Sequence, residues 1–175
     1  MRNLLTLTIV LLLGVASYAQ SDMEALFKLP EVDVKTVNGE PFNTKDIQND
    51  GKPIIVTFWA TWCKPCMKEH DAINDIYEEW VDETGVKLYA ISIDNARSSK
   101  RVLPTVDGKG WEFDVLLDPN GDFKRAMNVN MIPHTFLIDG EGNIVWSHTS
   151  FSEGSELQLI QKVREVAEGK TVSDH

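Results

Sequence analysis

The sequence predicts an α/β sandwich built on a mixed central sheet. Three observations predict it. Apolar, β-branched runs of strand length alternate with stretches whose apolar residues recur at spacings of three and four, the order of strands and helices in a layered α/β domain. The last two apolar runs, within 135–149, are joined by the turn Asp139-Gly140-Glu141-Gly142-Asn143, so the sheet closes with a hairpin and is not wholly parallel. The length of 175 residues suits one domain with a full hydrophobic core.

Taken in order, residues 1–19 read as a secretory signal. Arg2 supplies the positive start, Leu4 to Val15 is apolar except for Thr6, Thr8 and Gly14, and Ser17 and Ala19 give small residues for cleavage after Ala19. The stretch is short for a membrane span of roughly 20 apolar residues; an uncleaved anchor is the alternative. No cysteine follows it, so a lipoprotein is excluded. Residues 20–31 read as a tether, 32–169 as the folded domain and 170–175 as a flexible tail. Val32, Val34 and Val37 before Asn38-Gly39 predict a β-hairpin over 32–44, and Asp46 to Gln48 a short helical turn. Ile54 to Trp59, apolar or β-branched throughout, predicts a strand covered on both faces. One helix is predicted over 63–83, with Ala72, Ile73, Ile76, Tyr77 and Trp80 as its apolar stripe and Gly85 as its C-cap. A strand at 86–93 ends at Asp94. A helix at 97–107 follows despite Pro104. Then come a strand at 113–117, a short helix at 122–128, a strand entered through Pro133, its return at 144–149, and a helix at 153–168. That last helix is read with Leu157, Ile160, Val163 and Val166 or Ala167 inward.

The chemistry concentrates where the strand 54–59 hands over to the following helix, at Cys63-Lys64-Pro65-Cys66. The thiolate is the reactive form of cysteine. A helix N-terminus favours an anion, Lys64 adds a positive charge, and Pro65 suits the first helical turn. Cys63 is therefore the expected nucleophile, with a pKa below the free value of roughly 8.5. Cys66, one turn along, is placed to resolve a mixed disulfide. A two-residue loop gains little from a structural disulfide. Structural zinc needs four ligands and there is no second cysteine pair. Haem attachment needs a histidine where Met67 stands. The proline and threonine that precede a peroxidatic cysteine in peroxiredoxins are replaced by Val56 and Ala60. Exported proteins tend to pair their cysteines, and this chain has only these two, as expected of a working redox couple rather than a scaffold. The net charge of −10 argues against general nucleic-acid binding.

Phe58-Trp59-Ala60-Thr61-Trp62-Cys63-Lys64-Pro65-Cys66 resembles the active-site signature of the thioredoxin superfamily, and Ile132-Pro133-His134-Thr135-Phe136 resembles its cis-proline loop. The layout is similar to that of exported TlpA-like thiol-disulfide oxidoreductases, which resemble thioredoxin with an added N-terminal hairpin and an insertion after the active-site helix, here 86–111. The resemblance covers roughly residues 28–168. It implies a thioredoxin-like fold and a redox-active Cys63–Cys66 disulfide. It also implies a cis Pro133 packed against that pair, and an Ile132 backbone that pairs with an extended client peptide. Trp62 would wall the site, whereas Trp59 belongs to the core. No organic cofactor is implied. The implied partners are exported cysteine proteins, an apocytochrome among the candidates, and a membrane electron donor. The implied location is the periplasm or cell envelope, and the implied direction is reduction. The oligomeric state is left open.

Some positions depart from the family. Cytoplasmic thioredoxins carry a buried aspartate where this chain has Thr57. Asp94 falls near the acidic position of several exported relatives, where it would move the Cys66 proton; its other reading is a solvated turn residue. His134 beside the proline is a weaker tuning candidate. Cys63, Cys66 and either His70 or His134 also form a copper or soft-metal set, although copper-delivery proteins of this fold space their cysteines by three residues rather than two. Otherwise His70 reads as a helix-surface residue. An exported binding domain with an inert disulfide is the remaining alternative.

Overall fold

The computed structural model describes residues 28–172; the signal reading at 1–19 and residues 20–27 of the tether lie outside the described residues. Seven strands form one sheet: β1 (Asp33–Thr36), β2 (Pro41–Asn43), β3 (Ile54–Trp59), β4 (Lys87–Ser92), β5 (Asp114–Leu117), β6 (His134–Ile138) and β7 (Ile144–Thr149). Five α-helices join them: α1 (Lys64–Asn74), α2 (Tyr77–Thr84), α3 (Val102–Lys109), α4 (Asp122–Ala126) and α5 (Ser155–Ala167). The strand order is β2-β1-β5-β4-β3-β6-β7. β3 runs parallel to β4 and antiparallel to β6, so the sheet is mixed and the fold thioredoxin-like.

β3 shows why its sequence has no polar face. All six residues are buried, and the strand alternates between two cores. Ile54, Val56 and Phe58 join Tyr89, Ile91 and Phe136 beneath Phe123 of α4. Ile55 and Trp59 join Leu88, Ala90 and Leu137 beneath Ile73, Trp80, Val102 and Val163 of the helices on the opposite side. Thr57, facing that second core, and its register partner Thr135 on β6 are polar and wholly or nearly wholly buried. That exception positions the site.

The N-terminal hairpin forms as predicted, with Val34 opposite Phe42. The short helical turn lies at Thr44–Asp46, two residues earlier than read from the sequence, because Asn43 caps it through the Lys45 N–H at 3.0 Å. Residues 28–31 run along the domain: Lys28 bridges Asn143, and the Thr44 hydroxyl donates to the Pro30 carbonyl at 2.6 Å.

The helix predicted over 63–83 is two helices. The break at Asp75–Ile76 has a tertiary cause. The Asn74 amide donates to the Gly110 carbonyl at 3.1 Å and its carbonyl accepts the Glu112 N–H at 3.0 Å, which ties the end of α1 to the loop after α3. Gly85 caps α2 in the left-handed region at φ 67°, as its position predicts. The helix read at 97–107 is a 3₁₀ turn at Ser99–Arg101 followed by α3. Pro104 is tolerated because it lies in the first turn of α3, where a backbone N–H would have no partner within the α-helix and its absence costs no bond. In α5 the inward residues are Leu159, Ile160 and Val163, with Val166 partly covered; Leu157 is 59% exposed, a correction to the predicted face.

Candidate active site

The end of β3 sets the site. Phe58 pairs with His134, so Pro133 stands at the start of β6 beside the end of β3, where the cysteine turn departs. The Ile132–Pro133 peptide is cis and Pro133 is buried. Ile132 is partly covered and touches both cores.

Cys63 is the N-cap of α1, and its Sγ accepts the Cys66 N–H at 3.3 Å. Pro65 occupies the first turn, where no N–H is needed. Cys63 and Cys66 are joined as a disulfide. Cys63 is 5% exposed and Cys66 0%, so Cys63 is the more accessible of the two. Trp62, next to it, is 63% exposed, and Met131, next to Ile132, is 58% exposed. Lys64 is also exposed, on the solvent side of the turn.

Asp94 is not a solvated turn residue: it is fully buried. Trp59 and Ser92 share register across β3 and β4, which brings the segment after β4 against the loop after β3. There Asp94 accepts the Thr61 N–H and the Thr61 hydroxyl, each at 2.7 Å, and the Ser92 hydroxyl at 3.0 Å. A carboxylate with three donors fixes Thr61, and with it the backbone leading to Trp62 and Cys63.

His70 is also not on the surface. It is fully buried and edge-on to Trp59, Trp111 and Phe113, with ring centroids at 5.2, 4.8 and 5.3 Å. Neither ring nitrogen has a partner, and burial pushes its pKa down to about 3, so it is neutral. His134 stacks on Phe136 at 4.3 Å. Burial, with His148 nearby, holds its pKa below the usual histidine value, so at pH 7 it does not supply a positive charge. Among the described residues no group of three His, Cys, Asp or Glu side chains is placed to hold a metal.

Glu69 is the site residue that sequence reasoning missed. It lies three positions after Cys66 on α1, hence on the same helix face, and is 6% exposed. The Thr135 hydroxyl donates to its Oε1 at 3.1 Å and the Thr57 hydroxyl to its Oε2 at 3.3 Å. Burial outweighs these two bonds and raises its pKa to about 7. The signal was present: Cys66, Glu69, His70 and Ile73 keep the spacing of an inward stripe, disguised by two polar residues.

The AhpC/TSA family pattern matches residues 27–147 of the sequence. The chain belongs to the AhpC/TSA family. AhpC/TSA relatives include the thiol-disulfide oxidoreductase ResA of Bacillus thuringiensis subsp. konkukian, 32% identical over 127 residues, which are 72% of this chain and 70% of that one. The sporulation thiol-disulfide oxidoreductase A of Bacillus subtilis is 29% identical over 148 residues, 82% of this chain and 87% of that one. Among solved structures, a thioredoxin-like protein from Porphyromonas gingivalis is 50% identical with a TM-score of 0.73, covering 84% of this chain and 94% of that one. The AhpC/TSA chain described here is a thiol-disulfide oxidoreductase with its cysteine pair at Cys63 and Cys66.

Proposed function

We propose that this oxidoreductase works as an exported reductant of cysteine pairs in envelope proteins, apocytochromes among them, and is itself re-reduced by a membrane electron donor. The signal-like residues 1–19 and the resemblance to exported relatives support the location; the direction rests on that resemblance. Among the described residues no helix is long and apolar enough to cross a membrane.

In the proposed cycle the Cys63 thiolate attacks one sulfur of a client disulfide, forming a mixed disulfide and releasing the other client sulfur. Lys64 and the start of α1 favour that thiolate. Cys66 then gives its proton to the Glu69 carboxylate and attacks Cys63 Sγ. The client leaves with the electron pair of its second sulfur, and Cys63–Cys66 is oxidised. The exposed Trp62 and the backbone at Ile132 and Pro133 receive the client chain as an added strand. Asp94 acts on this step by holding Thr61, not by moving the proton. The observation that supports the cycle is the arrangement along α1: Cys63 at its start, a fully buried Cys66 and, one turn further, a buried carboxyl with a pKa near 7.

The test has two parts. Cys66→Ser should trap a client on Cys63, found by mass mapping; a client on any other residue contradicts the assignment. Equilibration of the pair against dithiothreitol buffers should give a potential near that of thioredoxin, roughly −270 mV, whereas one near that of DsbA, roughly −120 mV, makes the protein an oxidant.

A further inference from the structure

A proton delivered to Glu69 needs a way out, because the apolar neighbours on α1 and the sheet cannot carry it. A small cavity between β7 and α5 reaches this carboxyl. Its volume is about 10 Å³, room for about one water. Glu69 and Thr135 line it from the buried side; His148, Ser155 and Glu156 line it from the other. His148 is exposed and Glu156 partly exposed. The placement follows from the register. Thr135, which donates to Glu69, pairs directly with His148 across β6 and β7. Glu156 is held at the start of α5 by the Gly154 N–H, which it accepts at 3.0 Å.

We propose that His148 and Glu156 form the solvent end of a one-water proton relay that serves Glu69. The inference rests on the reading of Glu69 as the base for Cys66. The lining offers a single water the kinds of partner that a buried water requires: the Glu69 and Glu156 carboxyls, the Thr135 and Ser155 hydroxyls and the His148 imidazole. The step balances. The proton that Cys66 loses passes by way of Glu69 and the water to His148 or Glu156 and on to solvent as Cys66 Sγ bonds to Cys63 Sγ and the client sulfur leaves with its electron pair, so Glu69 ends the step as the carboxylate. The polar groups that bond Glu69 or line the cavity with it are Thr57 on β3, Thr135 on β6, His148 on β7, and Ser155 and Glu156 on α5; Cys66 lies three positions before it on the same helix. Among the described residues that line the cavity there is no lysine or arginine. His148 and Glu156 are positioning and relay residues, not catalytic ones, since neither touches the reacting sulfurs in the proposed cycle.

The experiment is single-turnover reduction of a disulfide-bonded synthetic peptide by the reduced protein, followed from pH 5.5 to 8.5. It compares wild type, the double variant His148→Gln with Glu156→Gln, and Glu69→Gln, each with and without added imidazole. The relay predicts that the double variant is roughly ten-fold slower near pH 7, less than the 10²–10⁴-fold effect of a direct acid–base group because water still reaches the cavity. Imidazole should restore its rate, and its reduction potential should equal that of wild type, since a relay changes a rate and not an equilibrium. A double variant at full rate while Glu69→Gln is slow overturns the relay and leaves Glu69 as the base. A slow double variant that imidazole does not rescue, or whose potential moves with its rate, also overturns it. A fast Glu69→Gln overturns the Glu69 reading and the relay together.

Discussion

Two buried carboxyl groups lie by the cysteine turn, and their surroundings differ. Asp94 accepts three hydrogen bonds of 2.7, 2.7 and 3.0 Å, two of them from Thr61 in the loop it restrains. Glu69 accepts two longer ones, 3.1 and 3.3 Å, from hydroxyls whose oxygens lie 3.2 Å apart. Each hydroxyl has one proton, so this trio can reverse its direction when Glu69 becomes protonated, whereas Asp94 faces a backbone N–H that can only donate. Both groups are buried. What separates them is whether the surrounding donors are fixed or reversible, and only the reversible set suits a group that gains and loses a proton in each cycle.

The largest test of this contrast is thermodynamic. A glutamate whose folded pKa lies above its ordinary value stabilises the fold most when it is protonated. Glu69 moves from 4.5 to about 7, so its contribution is fully present below pH 4.5, is lost as pH rises toward 7, and stays lost above it. That loss is roughly 3 kcal/mol across the window. Glu69→Gln should flatten this part of the stability–pH curve, measured by denaturant unfolding of the oxidised protein; an unchanged slope would show that Glu69 does not titrate there. Asp94→Asn should cost about 1–3 kcal/mol at pH 7, because a neutral amide replaces a side chain that accepts three hydrogen bonds. It should leave the slope between pH 4.5 and 7 intact; a variant that flattens the slope as Glu69→Gln does would erase the distinction. The smallest effect belongs to Thr135→Val. Removing the donor to Oε1 should raise the Glu69 midpoint further by up to about one pH unit, read from the same curve; a midpoint that falls would contradict the hydrogen-bond direction.

The same contrast explains what could be read from the chain. β3, the cysteine turn and the closing hairpin are legible because their signals are local: an unbroken apolar run, Cys-x-x-Cys at a strand–helix boundary, a glycine-rich turn. Asp94 was found by position and misjudged in burial, since nothing local shows that Ser92 and Thr61 would close over it. Glu69 and His70 were hidden by residue type, because a helix stripe is read from apolar residues and these two occupy its buried positions as polar ones. The break in the long helix was not legible for a different reason: Asn74 makes its bonds to residues 36 and 38 positions away. In α5, a face through Leu157 and one through Leu159 both fit the helical period over this length, and only packing on the sheet chooses between them.

The most direct measurement is the pH dependence of the single-turnover rate for wild type, Glu69→Gln and Asp94→Asn, followed by rapid mixing with a disulfide-bonded peptide. If Glu69 is the base for Cys66, the wild-type rate rises through an apparent pKa near 7. Glu69→Gln then loses that inflection and about 10²-fold in rate at pH 7, while Asp94→Asn keeps the inflection at a reduced amplitude. A Glu69→Gln profile superimposable on wild type, with the inflection lost instead in Asp94→Asn, would contradict the account and make Asp94 the proton acceptor.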